Sequence, residues 1–326
     1  MGTFVVSLDM ELMWGVIDVF DLTEYGNNVA GVKDVIPRLL DIADDYGVHL
    51  TFGVVGMCYA NSYDDLKEYI PHKKPSYKNP AYSPYVSYIN EKVKDKPDNK
   101  IYHFAPDLIE MIKRHHLHEI GSHTFCHYYC LADGQNCDEF KADLMSAKEI
   151  AKTQNINPQS IIFPRNQCNE EYLKICKDLG FTSYRGNEDN WLHQYVPDEK
   201  KLLLAVQRGL RLVDTFFNIS GHQTYKLIHS SEELPLNIPA SRFLRPYSKT
   251  LSFLNKFQLR RIINSMTYAA KHDEFYHLWW HPHNFGINVE ENFRMLNKIF
   301  AHYKDLKDKY GFTSKTFSEI VTDYGK

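Results

Sequence analysis

Short apolar runs alternate with amphipathic stretches along the chain. TFVVSLD (3–9) is an apolar run ending in a carboxylate. VIPRLLDIADDYG (35–47) spaces its apolar positions helically and stops at a glycine, and VHLTFGVVG (48–56) is again an apolar run. The same alternation pairs APDLIEMIKRHHL (105–117) with HEIGSH (118–123), and DEFKADLMSAKEIAKTQ (138–154) with SIIFPR (160–165). It then pairs EEYLKICKDLG (170–180) with FTSYRG (181–186), and LSFLNKFQLRRIINSMTYAAKH (251–272) with EFYHLWWHPH (274–283). A last helix starts near Glu290, and LLLAVQRG (202–209) reads as a candidate seventh strand. Strands alternating with helices at this spacing predict a parallel sheet with helices outside. So many such units in one chain favour an incomplete barrel over an open sheet, with the chemistry at the C-terminal ends of the strands.

Polar residues fall at those ends. Asp9 and Glu11 close the first strand and His123 the third; Arg165 closes the fourth, Arg185 the fifth, and His281 with His283 the last. Two stretches interrupt the alternation within what reads as a single domain over 1–326. Residues 57–104 carry YIPHKKPSYKNPAYSPYVSYIN, and loops this long are functional or disordered. Their tyrosines either stack on sugar rings or pack the insertion onto the barrel. Residues 210–250 carry IPASRFLRPY, where Arg242 and Arg245 either bind an anionic substrate group or form surface ion pairs.

Composition narrows the function. The formal net charge of −3, with both signs interspersed, points away from a nucleic-acid partner. No apolar run approaches membrane-spanning length, so no membrane span is expected. MGTFVVSLDMELMWG lacks the layout of a secretion signal, and Val6 stands where a myristoylation motif needs Ser or Thr. Six cysteines then read as free thiols of a cytoplasmic protein. The spacing Cys126, Cys130, Cys137 matches no common zinc cage.

Among sixteen histidines, two pairs stand four apart, His123/His127 and His277/His281. Roughly one such pair is expected by chance, so spacing alone says little. The first pair follows Gly121-Ser122 at a strand end. If 123–130 is helical, both rings share one face and hold a divalent metal, with a carboxylate as third ligand and open positions for water and substrate. The second pair lies on a strand, too far apart for one metal, so His277 reads as structural. In SLDMEL, Asp9 and Glu11 point to one side and Met10 to the other. Two such acids repel unless a cation or arginine lies near. One could bind metal while the other acts as a base, or one could cap the following loop.

These pieces, in this order, resemble the polysaccharide deacetylase family, and within it the branch found with surface-polysaccharide biosynthesis. The matching segments are SLDMELMWG (7–15), HEIGSHTFCHYYC (118–130), FPRNQ (163–167), YRGNEDNW (184–191), IPASRFLRPY (238–247) and WWHPHNFG (279–286). The resemblance implies an α/β fold, a distorted, incomplete (β/α)7-type TIM-like barrel. It implies that His123 and His127 are metal ligands, Asp9 the general base, Arg165 the group that orients it, and His281 the acid protonating the leaving amine. Trp191 and its neighbours fall on the acid side of the pocket; Arg185 and His283 join it as substrate-binding residues, although His283 also reads as a rim hydrogen-bonding group. Many members carry adjacent aspartates in the first motif. Here Glu11 takes the metal-ligand place, one residue later, which leaves open which acid touches metal. The implied cofactor is a divalent metal, Zn²⁺ first, then Co²⁺, Ni²⁺ or Mn²⁺. The implied substrate is an N-acylated amino sugar, free or carrier-linked, losing its acetyl group by hydrolysis. Two alternatives stand beside this: a deformylase or other amide hydrolase of the same superfamily, and a degenerate barrel that binds glycans without catalysis.

Overall fold

The computed structural model describes residues 1–188, 190–193, 201–227 and 233–324. The strands are β1 (Thr3–Met10), β2 (Leu50–Val54), β3 (His118–Ser122), β4 (Ser160–Ile161), β5 (Ser183–Gly186), β6 (Leu236–Pro239), β7 (Arg242–Phe243), β8 (Phe275–Trp280) and β9 (Thr313–Ser314). Their order is β6-β5-β4-β3-β2-β1-β8-β7, with β9 paired to the start of β1, and the ladders are parallel. The sheet curls into a distorted (β/α)7 barrel. Helices such as Val32–Tyr46, Pro106–Arg114, Cys137–Lys152, Glu170–Asp178 and Asn255–His272 return the chain between strands, as parallel pairing requires.

β6 and β7 are separated by two residues only and pair with opposite neighbours. Leu236 to Pro239 align with β5, whereas Arg242 and Phe243 align with β8. Between them Ala240 N–H donates to Gly186 O and Ser241 N–H to His277 O, both at 2.9 Å. One extended segment thus passes from one side of the ring to the other.

Side-chain alternation on β1 sorts the interior. Phe4, Val6, Leu8 and Met10 face outward into the core shared with the helices. Val5 joins Ile162, Ile238, Phe275, Phe317 and Ile320 in a separate apolar plug. That plug includes residues of the last helix, Phe317–Tyr324. On the same face as Val5, two and four residues on, stand Ser7 and Asp9. The inner face therefore runs from apolar at the strands' N-terminal end to polar at the C-terminal rim. His277 lies in the middle layer, its Nε2 2.8 Å from Ser7 Oγ and its Nδ1 3.0 Å from Pro239 O. Burial, then the nearby Arg185 charge, depresses its pKa to about 3, so it is a neutral bridging group.

Two sequence expectations change. LLLAVQRG is not a strand but part of the helix Lys201–Phe216. Leu, Ala, Gln and Arg are strong helix formers, and a short apolar run does not distinguish the two states. Residues 123–130 form a loop rather than a helix, with Thr124 and His127 at φ of 61° and 62°. In the insertion after β2, tyrosines pack on the barrel: Tyr77 Oη accepts from Tyr129 N–H, and the Tyr88 ring meets the Trp14 ring edge-on at 6.1 Å. All six cysteines are unbridged. No described helix is long and apolar enough to cross a membrane.

Candidate metal and acid–base site

Glu11 follows the last residue of β1 and is buried. Its Oε2 lies 3.0 Å from His127 Nε2 and 3.3 Å from His123 Nε2. Gly15 makes room for it: a Cβ there would sit 2.0 Å from Glu11 Cδ. The carboxyl pKa lies well below its usual value. Burial works in the opposite direction but is outweighed by His281, His127 and His123 around it.

The two histidines meet through loop geometry. His123 N–H donates to Val54 O at the end of β2, and its Nδ1 pairs with Ile162 O at 2.8 Å. A carbonyl only accepts, so Nδ1 carries the proton and Nε2 presents a lone pair. That Nε2 is buried without a hydrogen-bond partner. The left-handed turns at Thr124 and His127 bring the second ring back beside the first, with centroids 5.0 Å apart. Asp143 on the helix Cys137–Lys152 fastens the loop, accepting from Phe125 N–H at 2.7 Å and Cys126 N–H at 3.1 Å. Burial lifts its pKa to about 6 despite those bonds.

The donor atoms of Glu11, His123 and His127 lie within 4.8 Å of one another. Two imidazoles and one carboxylate, with a lone pair already freed and unpartnered, fit a divalent cation such as zinc. In a second cluster, Asp44, His115 and His118, the donor atoms also lie within 4.8 Å of one another. There Nδ1 of His118 accepts from Leu50 N–H, which keeps the ring proton on Nε2, toward Asp44. His115 Nδ1 is 2.6 Å from Asp44 Oδ2. That cluster reads as an acid held by His115, with a buried, neutral His118 beside it.

Asp9 lies beside the site but is held differently. Arg185 of β5 grips it through two parallel bonds, Nη1 to Oδ1 at 2.5 Å and Nη2 to Oδ2 at 2.7 Å. Arg185 also donates to Asn166 Oδ1 at 2.8 Å and Ser7 Oγ at 3.2 Å, and its guanidinium stacks 4.1 Å from the Trp279 ring. Burial would raise the Asp9 pKa, but the arginine charge overcomes it and the carboxyl stays below its usual range. Arg165, expected in this role, is elsewhere: it pairs with Asp18 and stacks 4.1 Å from the Tyr129 ring. It stands in a left-handed turn at φ 54° just past β4, which directs the side chain to the rim. Arg185, expected to bind substrate, is instead the partner of Asp9.

His281 Nε2 is 3.7 Å from both Asp9 Oδ2 and Glu11 Oε1, and its Nδ1 is 3.2 Å from Asn284 Oδ1. His283 follows β8 in a short turn, not on the strand, and stacks on His281 at 5.1 Å. Its Nε2 is 3.7 Å from Glu11 Oε1, and its buried Nδ1 has no partner. Burial takes its pKa down to about 3. The remaining expected residues lie farther out. Trp191 is 55% exposed and lines none of the cavities found next to these groups. Arg242 is buried against Asp214, and Arg245 Nε donates to Thr215 Oγ1.

The polysaccharide deacetylase family model matches residues 25–184. Among solved structures, a Mycobacterium smegmatis protein described as a polysaccharide deacetylase superposes with a TM-score of 0.63 at 14% identity, over 99% of this chain and 91% of that one. A Pseudomonas aeruginosa PAO1 protein described in the same way gives 0.54 at 10%, over 99% and 89%. The 4-alpha-glucanotransferase of Thermococcus litoralis gives 0.55 at 12%, over 99% of this chain and 40% of that one. No curated protein matches in sequence. The barrel alone is shared with enzymes of other chemistry; the match to the polysaccharide deacetylase family model over residues 25–184 is what sets this chain beside those deacetylases.

Proposed function

We propose that the protein is a divalent-metal-dependent hydrolase that removes the N-acetyl group from an amino sugar. One observation carries the reading: a freed imidazole lone pair at His123, beside His127 and Glu11, stands next to a separately held carboxylate, Asp9, with His281 facing both acids. A pure binding module has no need of that combination.

A bound divalent cation supplies polarisation of an acyl oxygen and acidification of water. The residues do the rest. Arg185 keeps Asp9 ionised and fixed, so its carboxylate can take a proton from the attacking water. His281, oriented by Asn284, returns a proton to the nitrogen as the C–N bond breaks. Acetate and a free amino sugar result. Glu11 is the metal-side acid and Asp9 the base, because the arginine already occupies both oxygens of Asp9.

The test is to strip the protein with chelator, reload it with zinc or cobalt, and supply N-acetyl and N-formyl amino sugars. Release of acetate and amine restored by metal is expected. Full activity without metal, or no amine from any substrate, refutes the reading; formate alone converts it to a deformylase.

A further inference from the structure

Beside Asp9 and His281, beyond Trp279, Phe243 and Asn166, lies a cavity of about 290 Å³. Trp279 and Phe243 each approach the His281 ring to 5.7 Å, so they form the wall between the cavity and the catalytic groups. Arg211, Arg242 and Arg245 line it together with Thr215, Glu188 and Asp214. A fourth arginine, Arg261, sits behind them on Asp214. Four guanidinium groups thus share two carboxylates among the described residues, an excess of two positive charges.

The pairing is uneven. Asp214 is taken by Arg242 and Arg261. Glu188 accepts from Trp279 Nε1. Arg211 donates to a backbone carbonyl, Leu192 O, and feels the Glu188 charge across the cavity; Arg245 donates to the Thr215 hydroxyl and forms no salt bridge among the described residues. Arg242 is buried, and its Nε donor has no acceptor. Burial without a counter-ion also draws the Arg245 pKa below the usual guanidinium value. Guanidinium groups that line a void in excess of the carboxylates around it favour an anion there.

We infer that this cavity is an anion subsite, in which Arg211 and Arg245 hold a phosphate attached to the amino sugar being deacylated. The inference rests on the deacylase reading for its substrate, but the anion site itself does not. The guanidinium fork suits phosphate oxygens. A phosphomonoester or pyrophosphate diester brings about two negative charges at neutral pH, which matches the local excess better than one carboxylate does. The cavity shares Glu188, Asn190 and Gln223 with a second one of about 600 Å³, lined also by Asn187, Thr224 and Asn237. That polar space suits the carrier beyond the phosphate. The substrate class is accordingly a phosphate-linked monosaccharide rather than a neutral polymer.

Calorimetry with inorganic pyrophosphate tests the site directly, without turnover. Binding is expected in the parent protein and should weaken about ten- to hundred-fold in Arg245→Met and in Arg211→Met, the loss of one charge-assisted hydrogen bond. The companion assay compares kcat/KM for N-acetylglucosamine 1-phosphate, UDP-N-acetylglucosamine, a lipid pyrophosphate-linked N-acetyl sugar and a neutral N-acetylglucosamine tetramer. The phosphorylated compounds should lead, with the ratio to the tetramer falling in both variants through KM. Preference among the three carriers separates nucleotide from lipid. Absence of pyrophosphate binding, or equal kcat/KM for tetramer and phosphosugars, overturns the subsite while leaving deacylation standing. Pyrophosphate binding with no amine released from any compound supports the anion site and defeats the deacylase reading.

Discussion

Replacing Arg185 by Met is the sharpest perturbation of the catalytic arrangement. The arginine is almost wholly buried, and both its bonds to Asp9 are short and parallel. Met fills much of the volume but leaves a buried carboxylate without its counter-ion. Breaking a buried pair on one side costs about 3–5 kcal/mol. Part of that cost is avoided if Asp9 takes up a proton, because the force that held its pKa down is gone and burial now raises it. The base is then neutral where the parent is ionised. A loss of about 3 kcal/mol in transition-state stabilisation corresponds to roughly 100-fold in rate. Urea denaturation with a pH–rate profile of kcat/KM reads both effects: a lower midpoint, and an acidic limb displaced to higher pH. Arg165→Met removes only the partner of Asp18 and should leave that limb where it is. If Arg165→Met displaces the limb and Arg185→Met does not, the assignment of Arg185 is wrong.

Other outcomes follow from the same geometry. His123→Ala should lose bound metal by elemental analysis, whereas His281→Ala should keep it while hydrolysis falls by roughly 10²–10⁴-fold. Asp143→Asn gives one of the Phe125 and Cys126 amides an NH₂ group to face instead of an oxygen; about 1–3 kcal/mol of stability should be lost, and metal affinity with it. Gly15→Ala should weaken metal binding as measured by competition with a chelator, since the new methyl collides with Glu11. His103 and His277 are held neutral by burial, with pKa values of about 4 and about 3. Because the unfolded chain protonates its histidines near pH 6.5, the unfolded state gains protons first on acidification. Stability is therefore full above that pH and lost as pH falls toward 4, at up to ~1.4 kcal/mol per pH unit per histidine. A urea midpoint that stays level from pH 7 to 4.5 would contradict this.

The sequence made the apolar strands readable because each is a run of branched and aromatic residues bounded by helices. It hid β6 and β7, since LNIPASRF is short, holds a proline and changes partner midway. The sequence singled out the histidine pair, and the two rings do meet, but the expected helix is not the cause; two left-handed residues in a loop do the same work, and spacing alone does not separate the cases. Arg165 and Arg185 both stand near strand ends. Only the backbone decides between them: Arg185 shares the inward face with Ser183, while the turn at Arg165 points away. Asp143 did leave a trace. It sits in the apolar stripe of Phe140, Leu144 and Ala147, where an acid needs a buried partner.

The segment from Leu236 to Phe243 gives each of its halves a neighbour on one side only. The ring of strands closes at Ala240-Ser241, whose amides bond Gly186 O on one flank and His277 O on the other, and a polar cavity lies to either side of that junction, one through Asn237, Pro239 and Ala240, the other through Ser241, Arg242 and Phe243. Residues lining the two cavities can therefore change while the ladders that fix Asp9 and Glu11 stay as they are.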